Sequence, residues 1–247
     1  MKKKVAIVFG TRPEAIKMAP VVLCLKEDFD VKVWVTAQHR DMLDQVLDLF
    51  DIKPDFDLDL MQPGQDLFDL SSRIFLGLKT VLSRENPDCI LVHGDTTTSM
   101  ISSLSAFYKK IPVFHVEAGL RTNDIFSPFP EEMNRKLTAD LSSYHFSPTE
   151  SAKSNLIKEN IEGSKIFITG NTVVDALEYM KNEVITKNFS DSFLSQIPNF
   201  SKFENTQTKI ILVTGHRRES FGEGFENICK ALKKIATEFN EVQIIYP

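Results

Sequence analysis

The sequence predicts an α/β fold built on a doubly wound parallel sheet, with one complete domain and the beginning of a second. Three observations lead to this prediction. Short apolar strand patterns alternate with helical patterns along most of the chain. The strand patterns are apolar throughout, as strands covered by helices on both faces require. A polar stretch near residues 186–208 interrupts the alternation, which then resumes.

Five strand patterns are found within the first 170 residues. Each is about five residues long and rich in β-branched or aromatic residues, and they lie at 5–9, 31–36, 88–93, 112–116 and 165–169. Helical patterns lie between them, for example at 13–27, 39–50, 66–85, 98–108 and 131–141. Strands joined by helices form βαβ units, which place the strands side by side in one parallel sheet.

The remaining residues predict an incomplete second domain. We place an N-terminal domain at 1–170, a helix and an irregular linker at 171–208, and an incomplete C-terminal domain at 209–247. The last segment has strand patterns at 209–214 and 242–246, with one amphipathic helix pattern between them. Two strands and one helix cannot cover both faces of a sheet, so we expect exposed apolar area in this segment.

The composition is that of an ordinary globular protein. The 247 residues are 42% hydrophobic and 26% charged, and the net charge of -5 at pH 7 argues against general nucleic-acid binding. Three widely spaced cysteines without a CxxC pair favour a reducing compartment. No stretch approaches the ~20 apolar residues of a membrane span, and the N-terminal apolar run is too short for a signal peptide. We therefore expect a cytoplasmic protein with no membrane partner.

The loop after the first strand has the features of an anion site. In GTRPEAIK, residues 10–17, Thr11 and Glu14 have the spacing of a helix capping box, and a proline lies in the first turn. The free N–H groups of a helix start favour an anion, and Arg12 and Lys17 add two cations. This pattern predicts a diphosphate site. The alternative is a surface arginine and a helix lysine that pair with acids.

Carboxylates follow other strands of the predicted sheet. Ligands of doubly wound sheets bind beyond the carboxyl ends of the strands. Asp95 and Glu117 each follow a predicted strand, and Glu131 opens a predicted helix. Carboxylates that are crowded or desolvated can take and give protons, so we expect these three to share one pocket. Asp95 has the alternative role of a helix N-cap, and we interpret Glu132 as a partner of the helix dipole.

The histidines divide into two groups. His216 lies in the loop after the strand at 209–214, next to Arg217, where it would contact a phosphate or remain solvated. His93 and His115 lie within apolar strands, and we interpret them as hydrogen-bonded structural residues. No spacing indicates a metal site, and no GxGxxG follows the first strand, which argues against a dinucleotide cofactor.

Eight segments in order resemble those of the bacterial non-hydrolysing UDP-N-acetylglucosamine 2-epimerases: FGTRPEAIKMAP, TAQHRDMLDQVL, VHGDTTT, HVEAGLRT, SPFPEEMNR, FSPTE, ITGNTVVDAL and VTGHRRESFG. The resemblance covers essentially the whole chain. It implies two Rossmann-like domains arranged as in GT-B glycosyltransferases, and a homodimer formed through the first domain. It also implies reversible conversion of UDP-N-acetylglucosamine to UDP-N-acetylmannosamine in cell-envelope polysaccharide synthesis, without metal or other cofactor.

The resemblance also implies a mechanism and a set of functional residues. The C1–O bond breaks and the C2 proton is removed, which gives UDP and 2-acetamidoglucal; the proton then returns to the opposite face and UDP adds again. The residues implied as catalytic are Asp95, Glu117, Glu131 and His216. Those implied in substrate binding are Arg12, Lys17 and Arg217, and those implied in activation by a second substrate molecule are Gln38, His39 and Gln45.

Members of this family continue well past the position of Pro247. The further part holds most of the second sheet and several contacts to the nucleotide, so we expect the 247-residue chain to be nearly inactive and prone to aggregation. Two alternatives stay open. One is a non-catalytic module that binds a sugar nucleotide or a partner, and the other is a hydrolytic relative that releases N-acetylmannosamine and UDP.

Overall fold

A computed structural model describes residues 2–36, 40–60, 62, 64–187, 208–214 and 222–246. The chain divides into two compact units, Met1–Lys181 and Asn182–Pro247. Most of the predicted irregular linker lies outside the described residues, and the domain boundaries that we infer from the sequence stay a prediction.

The first unit is built on a seven-stranded sheet. Its strands are β1 (Lys4–Phe9), β2 (Asp30–Val35), β3 (Phe56–Asp57), β4 (Cys89–His93), β5 (Val113–Val116), β6 (Tyr144–Ser147) and β7 (Ile166–Ile168). They lie in the order β3-β2-β1-β4-β5-β6-β7, and all six pairings are parallel. The chain therefore leaves every strand at the same edge. The strand order reverses between β1 and β4, and ligands of doubly wound sheets bind at such a switch point.

Helices connect these strands and follow the last of them. Those described in the first part of the chain are α1 (Arg12–Leu25), α2 (Arg40–Leu49), α3 (Leu67–Glu85), α4 (Thr97–Tyr108), α5 (Glu131–Leu141), α6 (Glu150–Lys158) and α7 (Val173–Lys187). A 3-10 turn at Gly163–Lys165 precedes β7. Among the described residues, no helix is both long enough and apolar enough to cross a membrane.

Helices cover both faces of the sheet, as the apolar strands predict. Successive residues of a strand point to opposite faces. On one face, Ile7 of β1 packs in a buried cluster with Met18 of α1. On the other face, Val8 packs in a second buried cluster with Ile74 of α3. This two-sided core is the physical reason why the strands read as continuous apolar runs.

Two strands and one helix of the first unit are not predicted by the sequence. Strand β3 has only two residues and lies within the acidic stretch DFDLDL, so its apolar pattern is too short to recognise. Strand β6, with sequence YHFS, buries His145 and Ser147 rather than aliphatic side chains. Helix α6 begins at Glu150, the last residue of the FSPTE motif, and the sequence predicts no helix over the residues that follow.

The described part of the second unit contains one βαβ element. Strands β8 (Lys209–Leu212) and β9 (Val242–Ile245) form a parallel pair, and α8 (Glu223–Glu238) lies between them in the sequence. Ile210 and Leu212 of β8 are exposed, and so are Phe225 and Ile228 of α8. These exposed side chains agree with the apolar area that the sequence predicts for this segment.

Candidate functional site

The loop between β1 and α1 leads directly into the first two turns of α1, which carry the first two predicted site residues. Arg12 is the first residue of α1; it is exposed and forms no ion pair with any residue that the structure describes. Lys17 is half-buried, and its Nζ lies 2.6 Å from Oε2 of Glu117. Lys17 is thus a helix lysine paired with an acid, but that acid is itself a predicted site residue.

Glu14 links this loop to the loop between β4 and α4. It is buried, and its Oε2 accepts hydrogen bonds from the N–H groups of Gly10 (3.0 Å) and Thr11 (2.9 Å) and from the Thr11 hydroxyl (2.9 Å). Its Oε1 accepts from the hydroxyls of Thr96 (2.7 Å) and Ser99 (3.1 Å). Burial raises the pKa of Glu14, although these hydrogen bonds act in the opposite direction. The sequence predicts only the capping bond between Thr11 and Glu14. The hydroxyl-rich run DTTTS is the feature of the sequence that could have indicated the hydrogen bonds from Thr96 and Ser99.

Asp95 follows β4 and is tied to α5. Its Oδ2 accepts a hydrogen bond from Nη2 of Arg135 at 2.6 Å, and its backbone oxygen accepts from Nδ2 of Asn134 at 2.9 Å. The N-cap of α4 is Thr96, whose hydroxyl accepts from the N–H of Ser99. The N-cap role considered for Asp95 is therefore wrong, because the following residue performs it.

Arg135 joins Asp95 to Glu132. Its Nη1 lies 3.0 Å from Oε2 of Glu132, and Oε1 of Glu132 accepts the backbone N–H groups of Thr122 and Asn123. Burial alone would raise the pKa of Glu132, but Arg135 and the two N–H groups together lower it. The sequence predicts for Glu132 only a favourable interaction with the helix dipole. The predicted site residues do not include Arg135, although the i,i+3 spacing of these two residues is that of a helical ion pair.

Glu131 is the first residue of α5, beside this network. Its side chain is half-buried, and its Oε2 is shielded from solvent without a hydrogen-bond partner in the described part of the chain. Shielded polar atoms in folded proteins normally have a partner. A ligand that donates a hydrogen bond would satisfy this oxygen.

Glu117 follows β5 in the left-handed backbone region, with φ of 62°, where non-glycine residues are uncommon. Its Oε2 accepts hydrogen bonds from Lys17 (2.6 Å) and from Nδ2 of Asn171 (2.9 Å). Its Oε1 lies 3.8 Å from Nε2 of His93. A Cβ placed on Gly94 would also lie 3.8 Å from this Oε1. The Glu117 carboxylate therefore lies against the loop that follows β4.

Three buried histidines lie on the neighbouring strands β4, β5 and β6. Burial lowers the pKa of His93 and His115 to about 3 and that of His145 to about 4, with Lys17 adding to the shift at His93. His115 donates a hydrogen bond from Nε2 to the carbonyl oxygen of Gly94 at 2.8 Å. All three are neutral at pH 7, which agrees with a structural interpretation of His93 and His115.

The remaining predicted site residues are only partly described. His216, Arg217, Gln38 and His39 lie outside the described residues. Gln45 lies on α2 and is exposed. The described part of the site therefore comprises the loops after β1, β4 and β5, the beginnings of α1 and α5, and the segment that precedes α7.

Comparison with known proteins identifies the family. The profile described as UDP-N-acetylglucosamine 2-epimerase matches residues 4–247. The chain belongs to this family. The UDP-N-acetylglucosamine 2-epimerase of Escherichia coli K12 is 58% identical over 246 residues, which are 99% of this chain and 65% of that protein. The chain thus spans about 65% of the length of the curated relatives that it matches.

Solved structures of the family share the fold. The Neisseria meningitidis UDP-GlcNAc 2-epimerase, bound to UDP-GlcNAc, is 50% identical with a TM-score of 0.86, covering 99% of this chain and 65% of the other. The Methanocaldococcus jannaschii enzyme, in complex with UDP-GlcNAc and UDP, is 34% identical with a TM-score of 0.78, covering 98% of this chain and 65% of the other. These similarities confirm the predicted GT-B-like α/β fold class and the family resemblance.

Proposed function

We propose that the protein acts in the reversible epimerisation of UDP-N-acetylglucosamine at C2, which gives UDP-N-acetylmannosamine. The observation that carries this proposal is the contact of Lys17 with Glu117 at the switch-point edge of the sheet, beside the loop that holds Asp95. A cation and two carboxylates at this edge suit a reaction that moves a proton and releases an anion. The names of the matched relatives support the choice of substrate.

In the proposed reaction, the C1–O bond breaks and UDP leaves with the bonding electron pair. A carboxylate takes the C2 proton, and its C–H electrons form the C1–C2 double bond of 2-acetamidoglucal. A second carboxylate returns a proton to the opposite face of C2, and the UDP oxygen then adds again to C1. Proton transfer by a positioned side chain contributes about 10²–10⁴-fold to such steps.

The roles that we propose follow from charge and position. Asp95, Glu117 and Glu131 exchange protons and stabilise positive charge at C1. Arg12, Lys17 and Arg217 bind the diphosphate, and His216 assists the departure of UDP. Gln38, His39 and Gln45 belong to a site for a second substrate molecule that activates the first. Substitution of any one carboxylate by its amide should lower turnover by about 10²-fold or more.

We further propose that turnover by this 247-residue chain is low. Exposed apolar side chains on β8 and α8, among them Ile210 and Leu212, give the second unit a surface that favours self-association. Association through this surface would leave less of the protein able to turn over substrate.

The test is deuterium incorporation at C2. The purified chain is incubated with UDP-N-acetylglucosamine in deuterated water, and the recovered nucleotide sugar is examined by NMR, with E117Q as the matched control. We expect slow deuterium incorporation at C2 by the wild-type chain and none above background by E117Q. Free N-acetylmannosamine would instead indicate the hydrolytic reaction. Binding of the nucleotide sugar by calorimetry without any exchange would indicate a non-catalytic module and overturn the proposal.

We also propose that the protein is a homodimer formed through the first unit. Phe107 and Tyr108 at the end of α4 are 58% and 64% exposed, and Tyr108 packs edge-on against Phe75 of α3. A contiguous apolar patch of this kind marks an interaction surface. Light scattering should find a dimer for the wild-type chain and a monomer for F107D. The control I157D changes an exposed apolar residue of α6 and should leave the dimer intact.

A further inference from the structure

The structure assigns Asn171 the role of a positioning residue for Glu117: its amide holds Oε2 of the carboxylate, so that Oε1 is the oxygen that meets the substrate. This inference deepens the proposed function and rests on it. Asn171 lies in the segment between β7 and α7, in the motif ITGNTVVDAL. None of the roles that the sequence predicts includes it.

The direction of the Asn171 amide is determined by its two hydrogen bonds. Oδ1 accepts the backbone N–H of Val173, the first residue of α7, at 3.1 Å. Nδ2 donates to Oε2 of Glu117 at 2.9 Å. Because the backbone N–H can be satisfied only by an acceptor, the oxygen end of the amide must face Val173. The donor end is therefore presented to Glu117 and cannot rotate away without breaking the first bond.

The two oxygens of Glu117 have different surroundings. Oε2 accepts from Asn171 at 2.9 Å and from Lys17 at 2.6 Å, so two donors hold this atom. Oε1 lies 3.8 Å from Nε2 of His93, which is beyond hydrogen-bond range. Within the described residues, Oε1 has no hydrogen-bond partner. It is the oxygen left available for a proton from a bound sugar.

The catalytic role proposed for Glu117 requires that its carboxylate does not move. Glu117 has a left-handed backbone conformation, and its side chain is 12% exposed. A positioned base must lie within hydrogen-bond reach of the proton that it removes, and small displacements of such a group reduce the rate strongly. Asn171 and Lys17 together prevent rotation of the carboxylate about its last bond.

The substitution N171D tests this arrangement because it preserves shape. The new carboxylate can still accept the N–H of Val173, but it presents an oxygen to Oε2 of Glu117 in place of a donor. Two acceptors at this distance repel each other. The control N160D makes the same chemical change at an exposed residue after α6, in the loop that leads to the opposite edge of the sheet.

The first experiment is a double-mutant cycle on urea unfolding of the whole chain. We expect N171D to lower the unfolding midpoint in the wild-type background and to do so less in the E117Q background, where an amide can face the new carboxylate. The coupling should change the unfolding equilibrium constant by about threefold or more. N160D should show the same effect in both backgrounds.

Additive effects of N171D and E117Q would overturn the inference. If N171D does not fold, the cycle is run with N171S, which removes the donor without adding charge.

The second experiment separates positioning from stability. Rates of C2 deuteration are measured at several substrate concentrations for the wild-type chain, N171D and N160D. We expect N171D to lower kcat by about 10-fold to 100-fold with KM changed less than about threefold, because the lost interaction acts on the reacting group. N160D should match the wild type. An unchanged kcat with a raised KM would contradict a positioning role. If the wild-type chain shows no deuteration, the proposed function fails, and the unfolding cycle still decides whether Asn171 holds Glu117.

Discussion

Lys17 and Glu117 are 100 residues apart in the sequence, yet Nζ of the first lies 2.6 Å from Oε2 of the second. Their side chains are 23% and 12% exposed, so the ion pair is largely shielded from water. It joins the second turn of α1 to the end of β5 and spans the switch point between β1 and β4. Charges that lie far apart in the sequence thus meet in one contact.

Substitution of Lys17 by methionine should destabilise the protein by about 1–3 kcal/mol, because the shielded Glu117 carboxylate loses a charged partner. Urea unfolding at pH 7 measures this effect. The matched control is K3M, which removes the exposed ion pair between Lys3 and Asp88. Exposed ion pairs contribute little to stability, so K3M should be nearly neutral. Equal effects of K17M and K3M would contradict the shielded character of the Lys17 pair.

Substitution of Glu14 by glutamine should change how stability depends on pH. The pKa of Glu14 is raised from 4.5 by burial, so the folded protein holds this proton to a higher pH than the unfolded chain. The stability that Glu14 contributes is fully present below pH 4.5 and is lost as pH rises through its higher folded pKa. Relative to the wild type, E14Q should therefore gain stability as pH rises, by at most about 1.4 kcal/mol per pH unit.

E14A, which leaves the N–H groups of Gly10 and Thr11 without their acceptor, should instead lose about 3 kcal/mol or more. Unfolding free energies measured between pH 4 and pH 8 distinguish these outcomes.

Substitution of Glu132 by glutamine should show the opposite pH dependence. The net shift of the Glu132 pKa is downward from 4.5, because Arg135 and two backbone N–H groups outweigh burial. Its contribution is present above pH 4.5 and is lost as pH falls through the lower folded pKa. E132Q should cost about 3 kcal/mol at pH 7, and this difference from the wild type should shrink in acid. A difference that grows in acid would show that the pKa is shifted the other way.

Substitution of Gly119 by alanine should be strongly destabilising. Its φ is 93°, and an added Cβ would lie 2.2 Å from the backbone oxygen of Ala152 at the start of α6. Steric conflict with backbone and an unfavourable conformation together should cost about 3 kcal/mol or more. The control G163A introduces a Cβ with no atom within 4 Å and should change stability by less than about 0.5 kcal/mol. Thermal unfolding of the two variants provides the comparison, and similar midpoints would contradict it.

Much of the fold could be predicted because it depends on local patterns. Apolar strand patterns followed by helical ones predict a two-sided parallel sheet, and five of its seven strands were placed within one or two residues. Strand β3 was missed because two residues carry no periodicity, and β6 because its buried residues, such as His145 and Ser147, are polar. β3 lies at one edge of the sheet and β6 lies between β5 and β7; short strands of this kind are formed by pairing with their neighbours rather than by their own composition.

The candidate site could be predicted only as a set of loops. Parallel strands end at one edge of the sheet, so the sequence by itself determined that Arg12, Asp95 and Glu117 follow strands of the same sheet and leave it on one side. Only the tertiary structure decided which side chains pair: Lys17 and Asn171 with Glu117, and Arg135 with Asp95. The physical reason is that such contacts depend on how each helix is rotated and seated on the sheet. Packing over the whole domain determines the rotation and position of each helix to within a hydrogen-bond length, and no local sequence pattern predicts them.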